Sequence, residues 1–225
     1  MNILQIKKYL YSSRETKLQF FARKYADFLT GSILDVGADA LYLKNFLPNG
    51  VHYTGVGIGP HPDLVQVDFE KEEIPFSDNS FDCVVCLDVL EHLDNIHAVF
   101  DRLCGLTRKW VIISLPNPYE NLLQYYNDAE NNKKYYGGKN LKFYGLDLEP
   151  PEDRHKYFFS VYEAKAFVEY RAKKNSMKIV DIHIDHQDTL NEAKRLVEKE
   201  SGALIPAYFD FSEMYLGTSW YILEK

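Results

Sequence analysis

The sequence predicts a doubly wound α/β domain, a mostly parallel sheet with helices on both faces. Three observations carry this expectation. Ser32 to Leu47 (SILDVGADALYLKNFL) reads as a buried strand through Ile33, Leu34 and Val36, a turn at Gly37, and a helix directing Leu41, Leu43, Phe46 and Leu47 inward. Phe81 to Leu87 (FDCVVCL) is a nearly continuous apolar run, as expected of a central parallel strand buried on both faces, and Ile96, Val99, Phe100 and Leu103 follow at helical spacing. Strands and helices thus alternate as far as Gly105, and a late strand pair, Met177 to His186 and Glu213 to Lys225, follows.

With 225 residues, 46% of them hydrophobic and 26% charged, the chain can bury a sizeable core, and a disordered or fibrous class is excluded. The formal charge of −7 argues against a general nucleic-acid binder or a protein of anionic membrane surfaces, since either needs a basic face. No run approaches the roughly 18 apolar residues of a membrane span, and the N-terminus lacks an apolar signal core. A soluble, cytoplasmic protein is expected. Cys83, Cys86 and Cys104 are too few and too clustered for a disulfide framework. Cys83 and Cys86 share a strand in which residues three apart face opposite sides, so both read as buried small apolar residues.

In order along the chain, residues 1–31 form an N-terminal helical region. Leu18, Phe21, Tyr25 and Phe28 recur at helical spacing and stop at Gly31. Packing on the sheet is the expected role; closing over a ligand is the alternative. Val51 to Ile58 is the second strand, and Asp68 follows as a turn or cap residue or as a binding acid. Asp94 is the expected N-cap of the helix after Leu93. Trp110 to Tyr119 is a fifth strand ending in Pro116, Asn117, Pro118 and Tyr119, whose locked backbone would shape the entrance to an acceptor loop.

Residues 117–159 hold Tyr119, Tyr125, Tyr126, Tyr135, Tyr136, Tyr144 and Tyr157 and lose periodicity, which predicts a lid or acceptor-binding insertion. The tyrosines suit a pocket for an aromatic or hydroxylated metabolite and equally a homodimer interface. His155 stands just before a helix signed by the capping box Ser160 and Glu163, near the mouth of the site. In the strand from Met177 to His186, Val180, Ile182 and Ile184 form one face, and Asp181, His183 and Asp185 form a face expected to be solvated. A helix from about Asp188 to Glu200 precedes the last strand. Nothing repeats, and residues 1–225 read as a single domain.

Two stretches resemble the class I S-adenosylmethionine-dependent methyltransferases. The first motif of that family is an acid, any residue, then alternating glycines; Asp35 and Gly37 match, and Asp39 and Leu41 occupy the next two glycine positions. The segment Asp88, Val89, Leu90, Glu91, His92, Leu93 is similar to the family's signature after the fourth strand, which lines the methyl-transfer site. The resemblance implies a seven-stranded sheet with S-adenosylmethionine across the carboxyl ends of strands one, two and four. It places Asp35, Gly37, Ala38 and Asp39 in the donor loop. Gly57 falls where the family has an acid that binds both ribose hydroxyls; Asp68 falls on the acid that caps the adenine amino group, with Phe69 against the ring. In the ubiquinone-pathway type of O-methyltransferase, residues like Asp88, Glu91 and His92 can hold a divalent metal. Three ligands within five residues converge only in a tight turn, so a hydrogen-bonded cluster without metal is the favoured expectation.

The function so implied is in-line methyl transfer to a small-molecule acceptor such as a hydroxyl, with His92 or His155 as base. The alternative is a binding or scaffolding module on the same fold with lost or altered donor binding, suggested by Asp39, Leu41 and Gly57 at ligand-contact positions. A nicotinamide oxidoreductase ranks third. Gly55, Gly57 and Gly59 are followed by Pro60, His61 and Pro62 where a helix would have to begin.

Overall fold

The computed structural model describes residues 4–8, 11, 13–38, 40–120, 155–186 and 216–225. Among them the chain runs β1 (Leu4–Lys8), α1 (Arg14–Lys24), β2 (Ser32–Val36), β3 (His52–Gly57), β4 (Val65–Gln66), β5 (Phe81–Leu87), α2 (Ile96–Leu106), β6 (Thr107–Leu115), α3 (Val161–Lys174), β7 (Lys178–His186) and β8 (Leu216–Glu224). The strands form one sheet in the order β1-β7-β8-β6-β5-β2-β3-β4. All neighbours are parallel except β8, which runs antiparallel between β6 and β7. The seven expected strands are present, and β1 adds an eighth at the edge beside β7, pairing Leu4 with Ile182 and Lys8 with His186. Nothing in LQIKK marks a strand by itself; its partner on β7 makes it one.

The apolar face of each element explains its place. Leu34, Val36, Val84, Cys86, Val111 and Ile113 join Val99, Phe100 and Leu103 of α2 and Val168 of α3 in the larger core. On the opposite face Ile33, Cys83, Val85, Ile112, Trp220 and Ile222 pack with Phe21 of α1 and with Tyr25, its C-cap. Phe21 stacks on Trp220 at 5.8 Å, so α1 covers the sheet as expected. The cysteines are free and buried. Burial pushes the Cys104 thiol up to about 12, which keeps it protonated.

Several expectations need correction. The helix after Gly37 is only a 3-10 turn, Tyr42–Phe46, because Leu41 before it takes a left-handed backbone and Pro48 follows closely. α1 ends at Lys24, and Gly31 instead makes the turn into β2 with φ 70°. The N-cap of α2 is Asn95 rather than Asp94, whose carboxylate binds Lys156 at 2.6 Å. The capping box of α3 forms as read, Glu163 N donating to Ser160 Oγ and Ser160 N to Glu163 Oε2. The helix expected from Asp188 to Glu200, and residues 121–154 of the tyrosine-rich insertion, lie outside the described residues.

The face of β7 expected to be solvated is covered. His183 and Asp185 are fully buried. Asp185 accepts from Trp220 Nε1 (2.7 Å) and Tyr11 Oη (2.5 Å) and lies 2.8 Å from His183 Nε2. An alternating face is solvated only if nothing packs on it, and here Tyr11, and Phe20 of α1, do. Asp82 ties the other ends of the strands together. Its Oδ2 accepts from Ser32 N and Oγ, both at 2.8 Å, and its Oδ1 from Arg108 Nε at 3.0 Å. A Cβ on Gly31 would stand 2.3 Å from that Oδ2.

Two outcomes are expected. Asp185→Ala leaves buried donors without their acceptor and should cost about 3 kcal/mol in urea unfolding; a loss under about 1 kcal/mol would show that the network contributes little. The Arg108 guanidinium and the Ser32 amide hold the Asp82 carboxyl at about 2, below its ordinary value. A depressed folded pKa means stability that is fully present above the unfolded value near 3.9 and lost as pH falls toward 2. The stability gap between the wild type and Asp82→Asn should therefore narrow over that window, and a gap independent of pH would contradict the pairing.

Candidate functional site

Strands buried on both faces release their polar residues only at their ends, and the carboxyl ends of β2 and β5 meet at one pocket. α1 contributes Arg14, Lys17 and Leu18; the segment after β2 contributes Gly37, Ala38, Ala40, Leu41 and Tyr42 beside Asp35; the end of β5 contributes Leu87 and Asp88. The cavity is small, about 40 Å³.

Each wall has a local cause. Asp35, at the end of β2, is buried and accepts from Tyr53 Oη at 2.7 Å. Burial, reinforced by the Asp35 charge, pushes the Tyr53 hydroxyl far up, so it remains a donor. Gly37 has φ 85°, and a Cβ there would lie 2.2 Å from Val89 Cγ2. Both the left-handed backbone and the close approach of the β5 loop require glycine. The amides of Gly37 and Ala38 both turn onto Val56 O, at 2.8 and 3.2 Å.

Leu41 keeps a left-handed backbone, φ 53°, at a position where the resembling family has glycine. Its side chain lies over Gly55, whose added Cβ would stand 2.3 Å from Leu41 Cδ2. Leu41, Ala38 and Leu64 form a small apolar cluster with Tyr53.

Asp88 is the second pocket residue in the left-handed region, also φ 53°. Its amide donates to Ser114 Oγ (3.0 Å), and Ser114 Oγ donates to its Oδ1 (2.7 Å). Its Oδ2 takes the ammonium of Lys17, which also reaches Thr218 Oγ1 at 3.1 Å and lies 5.0 Å from the Trp220 ring. Non-glycine residues in this region cluster where function imposes strain. Arg14 and Lys17 were not singled out in the sequence; nothing local distinguishes a lysine of α1 that folds onto Asp88.

Beside the pocket, the turn Leu90–His92 carries a second group. The Glu91 carboxylate is fully buried, with Oε1 3.8 Å from Nε2 of His92 and 3.8 Å from Nε2 of His155. The two imidazoles meet edge to face at 4.6 Å. His155 is brought in by its neighbours: Lys156 N donates to Glu91 O at 2.7 Å, and Tyr157 Oη donates to Leu93 O at 3.0 Å.

The remaining sequence-predicted residues do not line this pocket. Gly57 is buried at the end of β3, where its carbonyl accepts from Val67 N at 2.9 Å. Asp68 caps the turn that follows it, accepting from Glu70 N (3.0 Å) and Lys71 Nζ (2.6 Å), which hold its carboxyl below the usual range. Phe69, expected against an adenine ring, is buried in the larger apolar core. Asp39 lies outside the described residues.

Comparison with known proteins bears on this pocket. Residues 7–170 match the model of a methyltransferase domain. A search of curated proteins finds no match. Among solved structures the chain is similar to an S-adenosylmethionine-dependent methyltransferase from Methanosarcina mazei, with a TM-score of 0.52 and 15% identity over 90% of this chain and 96% of that one. It is similar to magnesium protoporphyrin IX methyltransferase (ChlM) from Synechocystis PCC 6803 with bound SAH, with a TM-score of 0.51 and 12% identity over 94% and 81%. It is also similar to the 4+2 cyclase SpnF, with a TM-score of 0.55 and 11% identity over 100% and 87%.

The residues toward β5 fit a cationic donor: Asp35 and Asp88 supply carboxylates, and Gly37 supplies a close backbone. Toward β3 the fit is poorer, since Gly57 brings no carboxylate and Leu41 fills the space over Gly55. The match over residues 7–170, on a sheet of this order, makes the chain a member of the methyltransferase domain family, whose methyl donor is S-adenosylmethionine.

Proposed function

We propose that the chain transfers a methyl group from S-adenosylmethionine to a small-molecule acceptor, bound beside the carboxyl ends of β2 and β5. The observation that carries this reading is the convergence of Asp35, Gly37, Ala38 and Asp88 on one pocket. When bound, the donor supplies an electrophilic methyl on a sulfonium, and its displacement asks the protein mainly to position the partners and exclude water. Asp35 and Asp88 provide the negative surroundings. Lys17 neutralises Asp88 in their present arrangement, so a cationic ligand reaching Asp88 exchanges one positive charge for another. If the acceptor is a hydroxyl, the cluster that His155 makes with Glu91 and His92, which follow Asp88 in the chain, is the group assigned to its proton.

The net charge of −7 supports a small acceptor over a nucleic acid. The free, buried cysteines support a cytoplasmic setting, and among the described residues no helix is long and apolar enough to cross a membrane. Residues 117–159 are proposed as the acceptor-binding segment, with a homodimer contact through it as the alternative.

A second reading is favoured by Gly57, by Leu41 over Gly55 and by Lys17 on Asp88. It is a protein of this fold with altered donor binding. Calorimetric titration with S-adenosylmethionine and S-adenosylhomocysteine separates the two. Micromolar binding is expected, and absence of binding at millimolar ligand would sink the donor site in favour of the second reading. Gly57→Asp restores an acceptor for the ribose hydroxyls and should tighten donor binding by up to about 1.5 to 3 kcal/mol. An unchanged affinity would place the ribose away from the end of β3.

A further inference from the structure

We propose that Glu91, His92 and His155 bind one divalent transition-metal ion next to the methyl-transfer pocket. One ligand atom from each lies within 4.8 Å of the others. The separations between Glu91 and the two imidazoles suit a shared ion. At 3.8 Å, Glu91 Oε1 is beyond hydrogen-bond reach of either imidazole Nε2. Two ligands on a tetrahedral ion, with bonds of roughly 2.0 to 2.2 Å, stand about 3.4 Å apart, so a small rotation of each side chain closes the set around a centre. The perpendicular rings, at 87°, present both nitrogens to the same carboxylate without crowding.

The scaffold is built to hold this arrangement. Glu91 is fully buried in a 3-10 turn, and His155 is nearly as buried. Lys156, directly after His155, is fixed by its amide on Glu91 O and by its ammonium on Glu70 and Asp94, both at 2.6 Å. Asp88 is outside the set, since it is committed to Ser114 and Lys17. The third ligand thus comes from the segment before α3 and not from the turn that carries Glu91 and His92.

One carboxylate and two imidazoles select zinc, iron(II), cobalt or manganese over magnesium and calcium, which take oxygen ligands. Three protein ligands leave a coordination position open, the hallmark of catalytic over structural sites. On the methyl-transfer reading, a hydroxyl acceptor in that position would lose its proton nearer neutral pH, and the two histidines would act through the ion and not as free bases. The binding inference itself stands without that reading.

The test is a titration of chelator-treated protein with zinc by calorimetry and with cobalt(II) by visible absorption. One ion per chain at micromolar affinity or tighter is expected, with cobalt bands of a four- or five-coordinate site. Glu91→Gln and His155→Ala should each weaken zinc at least tenfold, while His61→Ala, remote from the cluster, should not. Circular dichroism establishes whether the variants fold; should they fail to, the wild-type stoichiometry and cobalt spectrum decide alone. Absence of stoichiometric binding to the wild type, or binding unchanged in both folded variants, would overturn the proposal. Both readouts are of binding, so a failed metal site and a failed donor site give different results.

Discussion

The parallel pairing of β2 with β5 is the constraint from which the rest of the site follows. Leu34 and Val36 of β2 face one core, Ile33 the other, and β5 divides in the same way between Val84 and Cys86 on one side and Cys83 and Val85 on the other. Strands with apolar cover on both faces have no room for polar side chains until they end. Because the two strands run parallel and in register, they end together, and Asp35, Gly37 and Asp88 come to one edge. The pocket is where a doubly covered parallel sheet is allowed to be polar.

That edge is also where the backbone departs from common conformations. Leu41 and Asp88, both left-handed, line the same pocket, and a left-handed L-residue costs roughly 1 to 2 kcal/mol. At Leu41 the chain retains the turn that a glycine would make and adds a side chain that closes over Gly55. At Asp88 the unusual backbone is held by Ser114 and by Lys17, the latter reaching across from α1. α1 therefore does two things at once. Phe21, with the C-cap Tyr25, seals one face of the sheet around Trp220, and Lys17, one turn before Phe21, supplies the charge that a partly buried carboxylate demands.

The Glu91, His92 and His155 cluster follows the same logic one turn further on. A carboxylate without solvent exposure is costly unless positive charge or polarised hydrogen faces it. Two imidazoles stand 3.8 Å from it, one from the same turn and one from the segment before α3, which Lys156 and Tyr157 pin in place. The pocket residue Asp88 and the cluster residues Glu91 and His92 share one short stretch after β5, so the pocket and the cluster meet at one end of that strand.

What the sequence determined by itself was local: the apolar runs of β2 and β5, the stripe of α2, the capping box of α3, the late strands, and the residue types gathered from Asp35 to Gly37 and from Asp88 to His92. These are legible because periodicity and capping depend on neighbours a few positions away. Only the tertiary structure decided the rest. LQIKK became a strand because β7 offered a partner; the face of β7 that bears His183 and Asp185 became buried because α1 and Trp220 cover it; Phe69 went into the core; and Lys17 and His155 reached Asp88 and Glu91 from distant positions. Burial, counter-charges and ligand sets are properties of what packs against a residue, and the packing partners here are far apart in the chain.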